Sequence, residues 1–443
     1  MDESAAIALA QRALTLAGAA GAQSAEASVS VAQRFHAEAL DSVVARLERS
    51  TVKSLFLRVF CDARKSTLST SDLTEEGLRE AVSRAVAHAR LVAPDALAGL
   101  PDEAGADGAE LELADERVAQ RDGAEKIEEA VELERLIRAA DSRVTNSSGS
   151  HYTDAIAVTA LANSTGFAAA YRWTRAGRST GPVALDGEVK RIAHYGTAAR
   201  HLSALEPAEV VATTAVRRAV DLFGARKPPT MRVPVIFERD VAATLLDDLF
   251  AAVSAANVAV GNSWLSGHVG SRIGSDLMTI VDDGRLPSGL GTSPFDGEGV
   301  PTQRTTVFER GTLRSFLYDT YYARKLGAAS TGNSTGGGVG PSNFYLERGT
   351  ISLADLIAAT PMGVLVMDTI GFATEHASGT YSRGARGFFI EGGELAYPID
   401  EFTIAGQYTE MFAGIDAVAD DLRFDAPVAS PSFRIAEMTV SGN

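Results

Sequence analysis

Gly379-Thr380-Tyr381-Ser382-Arg383-Gly384-Ala385-Arg386-Gly387-Phe388-Phe389-Ile390-Glu391 sets glycines around a tyrosine and two arginines, then runs into an apolar segment. Glycine inside a strand pattern marks a bulge or a point where another backbone comes close. Glu391-Gly392-Gly393-Glu394 follows as a turn, so the stretch reads as glycine-flanked polar residues at the start of a strand that ends in that turn. Its bland reading is a structural bulge with solvated arginines. The sharper reading makes Tyr381 and Arg383 candidates for a substrate groove.

The sequence around that strand is of the same kind. Residues 233–237 read as a strand and 241–256 as a helix. Many short strands follow, with Asp282-Asp283-Gly284 as another turn and Gly336-Gly337-Gly338 as a flexible loop. Upstream, Gly224-Ala225-Arg226-Lys227-Pro228-Pro229-Thr230 is the best linker in the chain and divides it into residues 1–224 and 225–443. A division is expected, because 443 residues exceed the ~100–200 of one ordinary domain. The first part opens with Ala/Leu-rich helical spacing over 4–19, with Ser4 as the expected N-cap. Alternation begins at Ala25, with Val29 and Val31 on one side and Ser28 and Ser30 opposite. Residues 40–48 and 52–61 continue it as an antiparallel meander. A helix is expected to start within Ser71-Asp72-Leu73-Thr74-Glu75-Glu76, where the acids suit the helix dipole, and to run to about Leu91. A second is expected over 124–141, strands over 144–171, and an amphipathic helix over 206–223. The expected class is α+β: two domains of largely antiparallel sheets with flanking helices.

Composition narrows the function. Lys and Arg total 41 against 57 Asp and Glu, a net charge of −16, which disfavours phosphate backbones and therefore nucleic acid as a partner. Residues 101–135 hold 13 acids and 4 bases, the pattern of a solvated helix face or a linker. Cys61 is the only cysteine, so no intrachain disulfide can form, and its apolar setting marks a small buried hydrophobe. Met1-Asp2-Glu3-Ser4 lacks the basic start of a signal peptide. No apolar run nears the ~20 residues that span a bilayer. A cytoplasmic location without membrane contact is expected.

Zinc-peptidase chemistry needs imidazoles at fixed helical spacing and a carboxylate to activate water. The seven histidines (His36, His88, His151, His194, His201, His268 and His376) include no His-Glu dipeptide. His194 and His201 are spaced to share a helix face, yet no carboxylate joins them at ligand spacing. No metal or other cofactor is expected in this chain. Gly332-Asn333-Ser334-Thr335-Gly336 matches the Gly-x-Ser-x-Gly elbow of serine hydrolases, which requires a strand before it and a helix after it. Gly337, Gly338, Gly340 and Pro341 follow and forbid that helix, so a loop is favoured. Asp247-Asp248, Asp282-Asp283 and Asp420-Asp421 read as helix-start or turn residues. No Walker loop or dinucleotide fingerprint is present.

Several of these stretches carry a resemblance. Thr380-Tyr381-Ser382-Arg383-Gly384-Ala385, then Gly387-Phe388, Ile390-Glu391, Gly393-Glu394, Tyr397-Pro398 and Thr403-Ile404-Ala405-Gly406, resemble the C-terminal signature of TldE/PmbA proteins, long called modulators of DNA gyrase. So do Pro234-Val235-Ile236-Phe237, Thr292-Ser293-Pro294-Phe295-Asp296 with Glu298-Gly299-Val300, and Tyr322-Ala323-Arg324-Lys325-Leu326-Gly327 leading to Ser330-Thr331-Gly332-Asn333. Ser69-Thr70-Ser71-Asp72-Leu73 and Arg143-Val144-Thr145-Asn146 fit more loosely, and the Gly336–Val339 loop departs from the pattern.

The resemblance implies a subunit of a cytosolic metallopeptidase that acts on small or unfolded peptides and in some bacteria trims leader peptides. The partner it implies is the related TldD, which carries a His-Glu-x-x-x-His helix and a C-terminal cysteine as ligands of a metal, expected to be zinc. The corresponding helix here reads Thr244-Leu245-Leu246-Asp247-Asp248-Leu249 without histidine, and residues 418–443 contain no cysteine. That places the chain on the TldE side, in a heterodimer with TldD or a homodimer when alone. Thr331, Asn333, Tyr381 and Arg383 are the candidate groove residues, with no catalytic residue assigned. The alternatives are an inert homodimeric peptide-binding or scaffold protein, and an enzyme of diverged chemistry using Tyr381, Arg383 or the Asn333-Ser334 loop.

Overall fold

Period-two alternation dominates the first part of the chain, and in the computed structural model it builds one seven-stranded sheet. The structure describes residues 1–106, 108–371 and 374–442. Helix α1 (Glu3–Ala19) leads into β1 (Ser24–Leu40), β2 (Val43–Cys61) and β3 (Arg64–Thr70). After α2 (Glu75–Ala89), α3 (Glu116–Gln120) and α4 (Gly123–Ala140) come β4 (Val144–Asn163), β5 (Ala168–Asp186), β6 (Val189–Ile192) and β7 (Tyr195–Ala199). The strand order is β3-β2-β1-β4-β5-β6, with β7 also on β5, and every ladder is antiparallel. In α1, Ala6, Ala10, Ala13 and Ala17 recur at helical spacing, and this small-residue stripe lets the helix lie close on Val29, Leu55 and Leu57. The N-cap of α1 is Asp2, whose carboxylate accepts from the Ala5 amide at 2.8 Å, rather than Ser4, which lies inside the helix. Helix α2 is capped by Thr74. Residues 43–53 of β2 stand in solvent.

Helix α5 (Ala208–Val220) closes the first part by packing on α4. The segment beyond it is not a free linker: the Arg226 amide donates to the Pro398 carbonyl at 3.2 Å, and the guanidinium lies 3.4 Å from the centre of the Tyr397 ring.

The second part contains β8 (Met231–Phe237), α6 (Arg239–Val253), α7 (Ala255–Ala259), β9 (Ile280–Asp283), β10 (Arg304–Glu309), β11 (Thr312–Leu313), α8 (Thr320–Leu326), β12 (Phe344–Leu346), α9 (Leu353–Ala358) and β13 (Met362–Ile370). It continues through β14 (Thr374–Glu375), β15 (Thr380–Glu391), β16 (Glu394–Gln407), α10 (Tyr408–Ala413), β17 (Ile415–Val418), β18 (Val428–Ala429) and β19 (Phe433–Ser441). Five strands form one sheet, β11-β10-β9-β12-β18. The other runs β13-β8-β19-β16-β15-β14, with β17 on β19. Because β13 pairs with both β8 and β15, this sheet closes into a ring. Only β13–β8 and β12–β18 are parallel ladders among the described residues. The apolar face of α6, with Val241, Leu245, Leu249 and Val253, shares a core with Phe308, Phe344, Phe402 and Phe433. The chain is thus an α+β protein of largely antiparallel sheets with flanking helices. No described helix is long and apolar enough to cross a membrane.

The β15–β16 hairpin forms as its glycines indicate, but its arginines are ion-paired rather than solvated: Arg383 to Asp248 at 2.7 Å, and Arg386 to Asp400 at 3.4 Å. Gly387 sits beside a register shift where β15 meets β13, and a Cβ there would lie 1.8 Å from the Leu365 carbonyl oxygen. At Gly384 the nearest atom would be 3.5 Å away. Gly387→Ala therefore lowers stability by about 2 kcal/mol or more, by overpacking the strand pair that closes the ring. Gly384→Ala changes it far less. Urea unfolding midpoints check this, and equal effects at the two positions would refute it.

Candidate functional site

Two arginines of the first part are buried against loops of the second. Arg58, on β2, donates to the Glu298 carboxylate at 2.7 Å and to the Gly336 carbonyl, and lies 3.8 Å from Glu26 on β1. Arg200, just after β7, donates to the carbonyls of Gly289, Leu290 and Thr292 at 3.0, 2.9 and 3.0 Å. Burial lowers its pKa to about 10. These contacts seat the loops around 289–300 and 332–342 on the first sheet.

Between sheet and loops lies a cavity of about 290 Å³, lined by Ser28, Thr159 and Tyr171 from the sheet and by Asp296, Asn333 and Ser334 from the loops. Asn333 donates to Asp282 at 2.7 Å and to the Gly340 carbonyl at 3.1 Å, while its own side-chain oxygen has no partner among the described residues. Asp296 accepts amides from Ser334, Glu298 and Val300 at 2.9, 2.9 and 3.0 Å. Its pKa is nonetheless pushed up to about 7 by burial, and that of Asp282 to about 6 for the same reason. Glu26, fully buried with no hydrogen-bond partner for either oxygen among the described residues, rises to about 8 through burial, against the pull of Arg58. A neutral carboxyl is favoured where desolvation outweighs the nearby cation.

The candidate groove residues divide between two places. Asn333 lines the cavity, and Thr331 braces its loop, its hydroxyl accepting from the Tyr318 amide at 2.7 Å. Tyr381 and Arg383 lie elsewhere, against α6. There Asp248 accepts from Arg383 at 2.7 Å and from the Tyr408 hydroxyl at 2.6 Å, and Tyr381 is fully buried against the Tyr408 ring. Burial raises the Tyr381 pKa, and it also raises that of Asp247, with help from the charge of Asp248. Asp247 and Asp248 are therefore mid-helix groups and not helix-start residues, and Asp282 and Asp283 are buried on β9 rather than in a turn.

Other readings are corrected as well. His194 and His201 flank strand β7, so they share no helix face. The Gly336–Gly338 segment is a tied turn: the Thr335 amide donates to the Gly338 carbonyl at 2.8 Å, and Ser334 bridges to Val339. The Ser334 hydroxyl accepts from the Gly336 amide at 3.1 Å, and no helix follows before α9, so the hydrolase elbow does not form. A second, larger cleft of about 930 Å³ lies between α5 and the β15–β16 hairpin. Its lining mixes Met367, Phe388 and Leu395 with Arg217, Arg239 and Arg386. Sequence reasoning missed Glu26, Arg58 and Arg200, because charged residues in strand patterns are ordinarily solvated and nothing local marks these as buried.

Comparison with known proteins identifies the family. The PmbA/TldA metallopeptidase family matches through its domain 1 over residues 25–89, its central domain over 116–223 and its C-terminal domain over 230–442. The chain is 32% identical to the metalloprotease PmbA homologue of Haemophilus influenzae, covering 97% of this chain and 95% of that one. It is also 32% identical to metalloprotease PmbA of Escherichia coli O157:H7, covering 96% and 92%. A solved structure from Bacteroides thetaiotaomicron, described as a modulator of DNA gyrase, superimposes with a TM-score of 0.92 at 26% identity, covering 98% of both chains. TldE from Thermococcus kodakarensis shares the fold, with a TM-score of 0.88 at 22% identity. The chain belongs to the PmbA/TldD family.

The buried carboxyl at the seam has a pH signature. The folded pKa of Glu26, about 8, lies above its ordinary 4.5, so its contribution to stability is complete below about pH 4.5 and is lost as pH rises through 8. Asp296, at about 7, titrates in the same window. The thermal midpoint should therefore fall between pH 5 and pH 8.5, and Glu26→Gln should make that fall shallower. Identical slopes for the two proteins would show that Glu26 is ionised in the fold.

Proposed function

We propose that this member of the PmbA/TldD family is the subunit without a catalytic metal motif, the non-metallated α6 side, of a cytosolic metallopeptidase that acts on small or unfolded peptides. In this reading a TldD-like partner supplies the metal, zinc being the expected ion, and this chain helps hold the peptide. The carrying observation is the state of α6, where the resemblance places the family's metal helix. Its donors are Asp247 and Asp248 rather than imidazoles, and Asp248 is engaged by Arg383 and Tyr408. A guanidinium beside a carboxylate pair repels a divalent cation, and zinc favours nitrogen and sulfur donors. This donor set does not fit such an ion, and no hydrolytic step is assigned to it.

What the chain offers instead is binding surface. The 930 Å³ cleft combines apolar side chains with arginines, which suits a peptide bearing apolar residues and carboxylates. Its arginines are partly balanced, Arg239 by Glu238 and Asp240 and Arg386 by Asp368 and Asp400, so the cleft is polar without a large net charge. Closure of the β13-β8-β19-β16-β15 ring hides those strands, so β-addition of a peptide is left to outer strands such as β3 and β6 of the first sheet and β11 of the five-stranded sheet. A second reading, an inert homodimeric peptide-binding or scaffold protein, draws support from Val43, Val44, Leu47 and Val52, which are all exposed on β2.

Amide hydrolysis needs an activated nucleophile, an acid–base group and oxyanion stabilisation, and the first is what this chain lacks a source for. Hydrolysis of an unfolded protein such as casein, or of short peptides, is expected from a mixture with the TldD-like partner and to be abolished by chelator. The chain alone is expected to be inactive. Chelator-resistant turnover by this chain alone would refute the proposal, and an inactive mixture that nonetheless binds peptide would favour the scaffold.

A further inference from the structure

We propose that His36, Glu38 and His151 form a zinc-class divalent-metal site on the first sheet, built from residues other than those of α6. His36 and Glu38 are two apart on β1 and so project from the same face. In the β1–β4 ladder Glu38 lies opposite His151, and His36 lies opposite Thr153, which makes the three side chains direct and diagonal neighbours. His36 Nε2 and His151 Nδ1 are 3.1 Å apart. Two imidazole nitrogens held at about 2.0–2.1 Å by one tetrahedral zinc stand roughly 3.3 Å apart, so the pair is within a few tenths of an ångström of chelating geometry. One donor atom from each of the three residues lies within 4.8 Å of the others.

The surroundings support ligation. The other nitrogen of His36, Nδ1, faces the Glu48 carboxylate on β2 at 4.0 Å. At that distance the carboxylate adds negative potential beside the ring without hydrogen-bonding it, and its other oxygen is held by Arg46. The β1–β2 register shifts between Glu38 and Ala39, and bulges re-aim side chains next to sites. Gly149, at φ +111°, adjoins the cluster: a Cβ there would lie 2.9 Å from His151 Nε2 and 3.1 Å from Glu38 Oε1. All three ligands are half-buried, which leaves an entry path and room for water as a fourth ligand. Two imidazoles and one carboxylate select zinc, cobalt, nickel or copper over magnesium or calcium. A bound ion would tie β1 to β4 beside the solvent-exposed half of β2.

The test is zinc binding by the full chain after chelator treatment and dialysis, followed by calorimetric titration and elemental analysis. About one zinc per chain is expected, with a rise in thermal midpoint, because an ion that binds only the folded state stabilises it. His36→Gln and His151→Gln should each weaken binding by about 10-fold or more, while His268→Gln, at an exposed position, should not. Cobalt bound to the wild-type chain should show visible bands that zinc displaces, a readout independent of how the variants fold. No stoichiometric uptake by the wild-type chain would overturn the site, as would undiminished uptake by both variants shown to be folded. Uptake lost in Asp247→Asn instead would overturn both this site and the reading of α6.

Discussion

Everything at the seam of this molecule depends on the burial of Arg58. A guanidinium removed from water is costly, and this one is repaid by the Glu298 carboxylate and the Gly336 carbonyl, both from the other part of the chain. Removing one partner of such a pair commonly costs about 3–5 kcal/mol, because the other charge is left buried and alone. Glu26, equally buried, adds a second carboxyl that the same cation cannot fully offset, which is why it holds its proton. The loops that resemble the family signature, around Asp296 and Asn333, are positioned by this contact and by Arg200.

Function follows from where charge is and is not compensated. Around the smaller cavity, the Asp296 carboxylate is satisfied by backbone amides, an arrangement that shapes the pocket. At α6, the carboxylate of Asp248 is satisfied by Arg383 and Tyr408, so the helix is braced by internal ion pairing. Under the function proposed above, this surface captures the peptide and a partner supplies the hydrolytic machinery.

Local periodicity made much of the fold legible. Alternation from Ala25 anticipated β1 at Ser24–Leu40, and helical spacing over 4–19 anticipated α1 at Glu3–Ala19, because each pattern is set by which side chains face one core. Features set by distant contacts were not legible. The ring closure through β13, the burial of Glu26 and Arg58, and the meeting of His36 with His151 across 115 residues leave no local trace. The candidate groove residues illustrate both cases. Gly387 signalled a close backbone approach that the structure contains, whereas Tyr381 and Arg383 belong to a buried network and not to the cavity that Asn333 lines.

The most direct measurement is kcat at saturating peptide for the reconstituted pair in which this chain carries Asp247→Asn. Asp247 is the α6 carboxyl whose proton affinity burial raises, and so the group of that helix best suited to acid–base work. A kcat within about three-fold of the wild-type pair is expected, with assembly intact. A fall of roughly 100-fold or more in a correctly assembled complex would place catalysis in this chain and contradict its role as the binding subunit.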